Sequence, residues 1–109
     1  MNDFDESIPD KGRTKVSLII GCLADDIVNL EKLLPALDSN SDHIQEILVV
    51  LSGINSSITE KRLNNLYQLN SSTLVLLSFH DILLPGAARN VGIAQSKEEF
   101  LAFIDVNTI

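Results

Sequence analysis

A chain of 109 residues with 45% apolar residues is long enough for one domain with a real core and too short for two. Its formal net charge of -7 repels phosphate backbones and anionic lipid surfaces, which argues against nucleic acid and membrane partners. The single cysteine, Cys22, excludes an intramolecular disulfide, and His43 and His80 are too isolated for a zinc site.

Met1 to Lys15 is polar and acidic, with Asp3, Asp5, Glu6 and Asp10 beside Pro9 and Gly12. It lacks the apolar stretch of a signal peptide and reads as a flexible lead-in to a domain over 16–109. The longest apolar runs fall well short of the roughly 18 residues that a membrane span needs, and the cytoplasm is the simplest expected location.

Val16-Ser-Leu-Ile-Ile-Gly21 is an almost continuous apolar run, the pattern of a strand covered on both faces of a parallel sheet. Asp25 or Asp26 is expected to cap the helix that follows, whose apolar positions are Ile27, Leu30, Leu33, Leu34 and Leu37. Pro35 should kink or end that helix, and Ser39 to Asp42 should form a turn. Ile47 to Leu51 predicts a second strand and Ser52 to Ser57 a loop. Ser57 and Glu60 stand at capping-box spacing before a helix carrying Leu63, Leu66, Tyr67 and Leu69. Thr73 to Phe79 predicts a third strand. Leu83 to Gly86 leads into a small-residue helix over Ala87 to Ala94. Phe100 to Ile104 predicts a fourth strand ending at Asp105.

Strands alternating with helices predict an α/β fold, a Rossmann-like open parallel sheet with flanking helices. Ligands of such sheets sit outside the carboxyl ends of the strands. Here those ends are Gly21 to Asp25, Leu51 to Asn55, His80 to Pro85 and Asp105 to Thr108.

Pro85-Gly-Ala-Ala-Arg-Asn-Val-Gly-Ile93, followed by Phe100-Leu-Ala-Phe-Ile-Asp105, resembles the signature of the inverting family 2 glycosyltransferases. Members of that family read G-P-G-x-A-R-N-x-G-I and then a strand ending in D-x-D. The first strand, the leucine pattern of the first helix and Glu46 to Val50 are similar too, so the likeness runs over about residues 16 to 108. The resemblance implies the nucleotide-binding half of a glycosyltransferase A-type domain and a nucleotide-diphospho-sugar as ligand. It places Cys22, Leu23, Ser52, Gly86, Arg89 and Asp105 at the nucleotide, and Asp105 and Asn107 at a divalent magnesium or manganese ion.

The chemistry behind these assignments is general. Gly86, Ala87 and Ala88 leave room at a helix N-terminus, where free N–H groups attract anions, and they equally suit tight packing on the sheet. Arg89 is assigned either to the nucleotide or to a salt bridge with one of the many carboxylates. Asn90 is expected to brace the Pro85–Gly86 turn. A carboxylate at Asp105 suits a hard cation, although a strand-end turn residue has the same identity. An amide at Asn107 adds no charge, which implies weakened metal binding or metal-independent chemistry. Cys22 reads as a small buried residue, since no activating base is evident. His80 reads as a loop residue.

Three departures from the family pattern stand out. Gly21-Cys-Leu-Ala24 replaces Pro-Thr-Tyr-Asn. Leu51-Ser-Gly-Ile54 replaces Asp-Asp-Gly-Ser, so an acid that contacts the base is missing. No residue matches the general base of the family's second half, from which the expectation is a donor-binding fragment without transfer activity of its own and with an unknown acceptor. An uncovered fourth strand would then favour a homo-oligomer. The competing expectations are a non-catalytic α/β interaction module with a degenerate nucleotide site, and a phosphoacceptor receiver domain. For the latter Asp81 is poorly placed, and no Lys follows on a fifth strand.

Overall fold

A computed structural model describes residues 16–38, 43–55, 58–70, 73–97 and 100–106. Strand β1 spans Val16–Leu23, helix α1 Ile27–Leu37, β2 Ile44–Ser52, α2 Glu60–Asn65, β3 Thr73–Phe79, α3 Pro85–Gln95 and β4 Phe100–Asp105. The four strands form one sheet in the order β3-β2-β1-β4 with every pairing parallel, which is the expected α/β open sheet.

Central β1 is buried along Leu18, Ile19, Ile20 and Cys22, and central β2 along Ile47 to Leu51. Alternation of side chains divides the core in two. On one face Leu18, Ile20, Cys22, Ile47, Val49 and Leu51 meet Ile27, Leu30 and Leu34 of α1, with Leu66 from the turn after α2. On the other face Ile19, Leu48 and Val50 meet Ala88, and Val91 packs beside them, so α3 is the helix on that side. Val16 pairs with Ile44 across a register shift, which carries β2 three residues further toward its N-terminus than the apolar run alone indicates.

The helix ends differ from expectation at three places. Neither Asp25 nor Asp26 caps α1: a short 3-10 turn over Ala24–Asp26 precedes it, and Asp26 makes no side-chain cap bond. The turn draws the first N–H groups into backbone bonds and so removes the need for a carboxylate cap. The cap of α2 is Thr59, whose Oγ1 accepts from Arg62 N at 3.1 Å, two residues beyond the expected Ser57, which lies outside the described residues together with Ser39 to Asp42. Helix α3 begins at Pro85 rather than Ala87, because proline at the first helical position has its φ preset and no N–H to lose. Pro35 is tolerated in α1, which ends two residues later at Leu37. The buried Asn70 amide donates to the Leu34 carbonyl at 2.6 Å and so satisfies an acceptor of the last turn.

Close approach of α3 to β1 requires Gly92. A Cβ there would collide with the Ile19 side chain, with Ile19 Cγ1 at 2.9 Å, whereas a Cβ on Gly86 would meet nothing within 4 Å. Gly92→Ala is therefore expected to destabilise the fold by about 1–3 kcal/mol through overpacking. Gly86→Ala should leave the denaturation midpoint nearly unchanged or raise it. Equal midpoints for the two variants in chemical denaturation would contradict this packing.

Helices α1 and α2 are joined by a two-pronged ion pair, Arg62 Nε to Glu31 Oε2 at 2.9 Å and Arg62 Nη2 to Glu31 Oε1 at 2.8 Å. The hydrogen bond from Arg62, and then its charge, hold the Glu31 carboxyl below its ordinary 4.5 against the opposing effect of burial. A depressed native value stabilises the fold above the unfolded value and loses that contribution as pH falls through the native one. Stability of Glu31→Gln relative to the parent should thus differ at neutral pH and converge in acid below 4.5. The effect is modest because both side chains are partly exposed. A pH-independent difference in denaturation free energy would contradict it.

Candidate functional site

The carboxyl ends of the strands form one rim of the sheet. Gly21 pairs with Asp105, Leu23 with Ser52, and Ser52 with Phe79, so β1, β2, β3 and β4 deliver these residues side by side. A Cβ on Gly21 would lie 3.2 Å from the Phe103 ring and 3.4 Å from Ala88 Cβ. The first turn of α3 therefore sits against the end of β1, beside the strand that carries Asp105.

Ser52 is buried, and its hydroxyl accepts from Leu83 N at 3.0 Å. Gly53 N donates to the Asp81 carbonyl at 3.2 Å and Ile54 N to the Phe79 carbonyl at 3.1 Å. These three bonds tie the loop after β2 to the loop that leads into α3. Gly53 has φ of +76°, which favours glycine at this turn. Ser52, which the resemblance places at the nucleotide, also braces the rim through its bond with Leu83 N.

At the start of α3, Leu84 provides no side-chain cap and Pro85 has no N–H. The first helical bond runs from Ala88 N to the Leu84 carbonyl at 2.9 Å. Gly86 and Ala87 are exposed ahead of it, in the position where backbone N–H groups attract anions. Of the three small residues expected to serve both packing and ligand, Ala88 alone packs, being 4% exposed. Arg89 is exposed and pairs with no described carboxylate, so the structural salt bridge considered for it does not form among the described residues. Asn90 is likewise exposed and does not bond to the Pro85–Gly86 turn as expected. The Pro85 ring already fixes that turn.

Cys22 is buried, and its thiol donates to the Leu23 carbonyl at 3.1 Å. Burial pushes the thiol up to about 12, and the negative charges of Asp26 and then Asp105 push in the same direction. Asp26 was read from the sequence as a helix cap. Its negative charge, like that of Asp105, acts on Cys22 near the end of β1. Leu23 is half-buried beside these groups. Asn107 lies outside the described residues, and no group of three or more His, Cys, Asp or Glu side chains suited to a metal occurs among the described ones.

Two of the cavities among the described residues flank the sheet, and neither of these is lined by the residues expected at the nucleotide. One of about 110 Å³ lies between Ile54, Leu63, Ser78, Phe79 and His80, next to the loop after β2. The other, of about 150 Å³, lies at the opposite end of the strands between Gln45, Glu46, Thr73 and Lys97. Among the described residues no helix is long and apolar enough to cross a membrane. No family model, curated protein or solved structure matches the chain.

A thiol this hard to ionise is a poor nucleophile. Cys22 in the folded chain should react with iodoacetamide at pH 8 far more slowly than in the urea-unfolded chain, and labelling at equal rates would show the thiol to be accessible and ionised.

Proposed function

We propose that the carboxyl-end rim binds a nucleotide-diphospho-sugar, as the donor-binding part of an inverting glycosyltransferase of family 2 type acting in the cytoplasm. The observation that carries this reading is the grouping on one rim of Asp105, Gly21 and the first turn of α3. The first turn of α3, where the signature begins at Pro85, and Asp105, where it ends, thereby lie at the same end of the sheet. The exposed amides of Gly86 and Ala87 and the guanidinium of Arg89 are suited to a diphosphate. Asp105 supplies oxygen donors of the kind that magnesium or manganese prefers, and Asp26, whose charge also acts on Cys22, is a candidate second acid where the resemblance has only the amide of Asn107. When bound, the ion would neutralise the departing diphosphate. In the full reaction an acceptor hydroxyl displaces the nucleoside diphosphate with inversion at the anomeric carbon. The resemblance assigns the base for that step to its second half and not to these residues.

A second reading is favoured by the engagement of Ser52 with Leu83 and by the lining of these two cavities, which includes none of the residues the resemblance places at the nucleotide. On that reading the chain is an α/β interaction module whose nucleotide site has degenerated. Self-association through the uncovered edge of β4, where Leu101 is 40% exposed, is compatible with either.

Calorimetric titration of the purified chain with uridine and guanosine diphosphates, with and without manganese, separates the two. Binding that strengthens with manganese is expected, with Asp105→Ala weakening it about tenfold or more and Asp26→Asn weakening it less, where tenfold corresponds to about 1.4 kcal/mol. Absence of heat with either nucleotide at any manganese concentration would sink the donor-binding reading and leave the interaction module.

A further inference from the structure

The amino end of the sheet holds a buried carboxylate that the proposed donor site does not use. Glu46 is 4% exposed and accepts two hydrogen bonds, from Ser17 Oγ at 2.6 Å and from Lys97 N at 2.7 Å. Both go to Oε2. The other oxygen, Oε1, has no hydrogen-bond partner among the described residues. A carboxylate oxygen withdrawn from bulk water without a donor is costly, so the position calls for one. Glu46 also lines the cavity of about 150 Å³, together with Gln45, Thr73 and Lys97. A water molecule takes about 30 Å³ in the liquid, so this space admits several waters or one small organic molecule.

The wall chemistry is divided by sign. The Glu46 carboxylate is buried and anionic, while Lys97 is exposed and cationic, and Thr73 and Gln45 contribute neutral hydrogen-bonding groups. An ammonium donates to a carboxylate in a strong charge-assisted bond, and a carboxylate is attracted to a lysine. We propose that this cavity is a binding site for a small zwitterion of the amino-acid class, its ammonium on Glu46 and its carboxylate toward Lys97. The site lies at the opposite end of the strands from the donor rim and does not depend on the glycosyltransferase reading. Because Glu46 also holds the Lys97 backbone that follows α3, an occupant would bear on the anchoring of that helix.

The test is titration of the isotope-labelled full chain with glycine and L-serine, followed by amide NMR shifts. Ethylammonium and acetate serve as half-probes that carry one charge each. Saturable shifts confined to residues around Glu46, Thr73 and Lys97 are expected with the zwitterions, and weaker ones with ethylammonium. Glu46→Gln preserves an acceptor for Ser17 and Lys97 N but puts an amide N–H in place of Oε1, and it should weaken binding about tenfold or more. Lys97→Gln, which leaves the backbone donor in place, should weaken the zwitterions and spare ethylammonium. Unsaturable shifts with every probe would show that the cavity holds water only. Equal response to acetate and glycine, or a Lys97→Gln variant indistinguishable from the parent, would overturn the assignment. The last comparison stands even where Glu46→Gln fails to fold.

Discussion

The contact between Gly92 and Ile19 governs where everything else in this fold can stand. An all-parallel sheet has to be covered on both faces. Here one face receives α1 and the turn after α2, while the other receives α3. A single helix covers that face well only by coming close to the middle strand, and Gly92 over Ile19, with Ala88 over Gly21, provides the approach. The consequence is directional. Once α3 is seated at these two points, its first turn rests on the carboxyl end of β1, so a packing requirement also fixes where Pro85 to Ala88 stand.

Polar groups then lock the two ends of the sheet. At the amino end the Glu46 carboxylate joins β1, through Ser17, to the segment leaving α3, through Lys97. At the carboxyl end the Ser52 hydroxyl and the Gly53 and Ile54 amides join the loop after β2 to the loop entering α3. Buried polar groups of this kind contribute little net energy when paired and cost more when one partner is lost. Their effect is to set register: α3 is tied by its entry and by its exit.

Most of the fold was legible because strands of a parallel sheet announce themselves as apolar runs. Thr73 to Phe79 matches β3 from end to end, and the core positions of α1 follow its leucine spacing. What escaped the sequence was local competition at chain turns. Thr59 takes the cap that Ser57 was expected to hold, and the backbone of a 3-10 turn replaces the Asp25 or Asp26 cap. Gly86 attracted attention through its motif, yet the glycine that packing demands is Gly92, six residues further on, and only the distance to Ile19 distinguishes them. The site was legible as a set of strand ends. It was not legible that Ser52 would be committed to Leu83, since that depends on how neighbouring loops meet.

The electrostatics of the rim bear on how an anion would be held there. The chain carries 15 acidic against 8 basic residues, and the charges of Asp26 and of Asp105 both act on Cys22. A diphosphate approaching this edge would meet two carboxylates as well as the amides of α3 and Arg89. Helix-end amides provide about half a unit of positive charge, too little to offset two full negative charges alone. On the donor-binding reading a divalent cation is then what reconciles the acids with the ligand, by converting repulsion into shared coordination. Without such an ion the same carboxylates would act against anion binding and only Arg89 and the helix-end amides would oppose them, so the acidic rim favours a metal-dependent form of that reading.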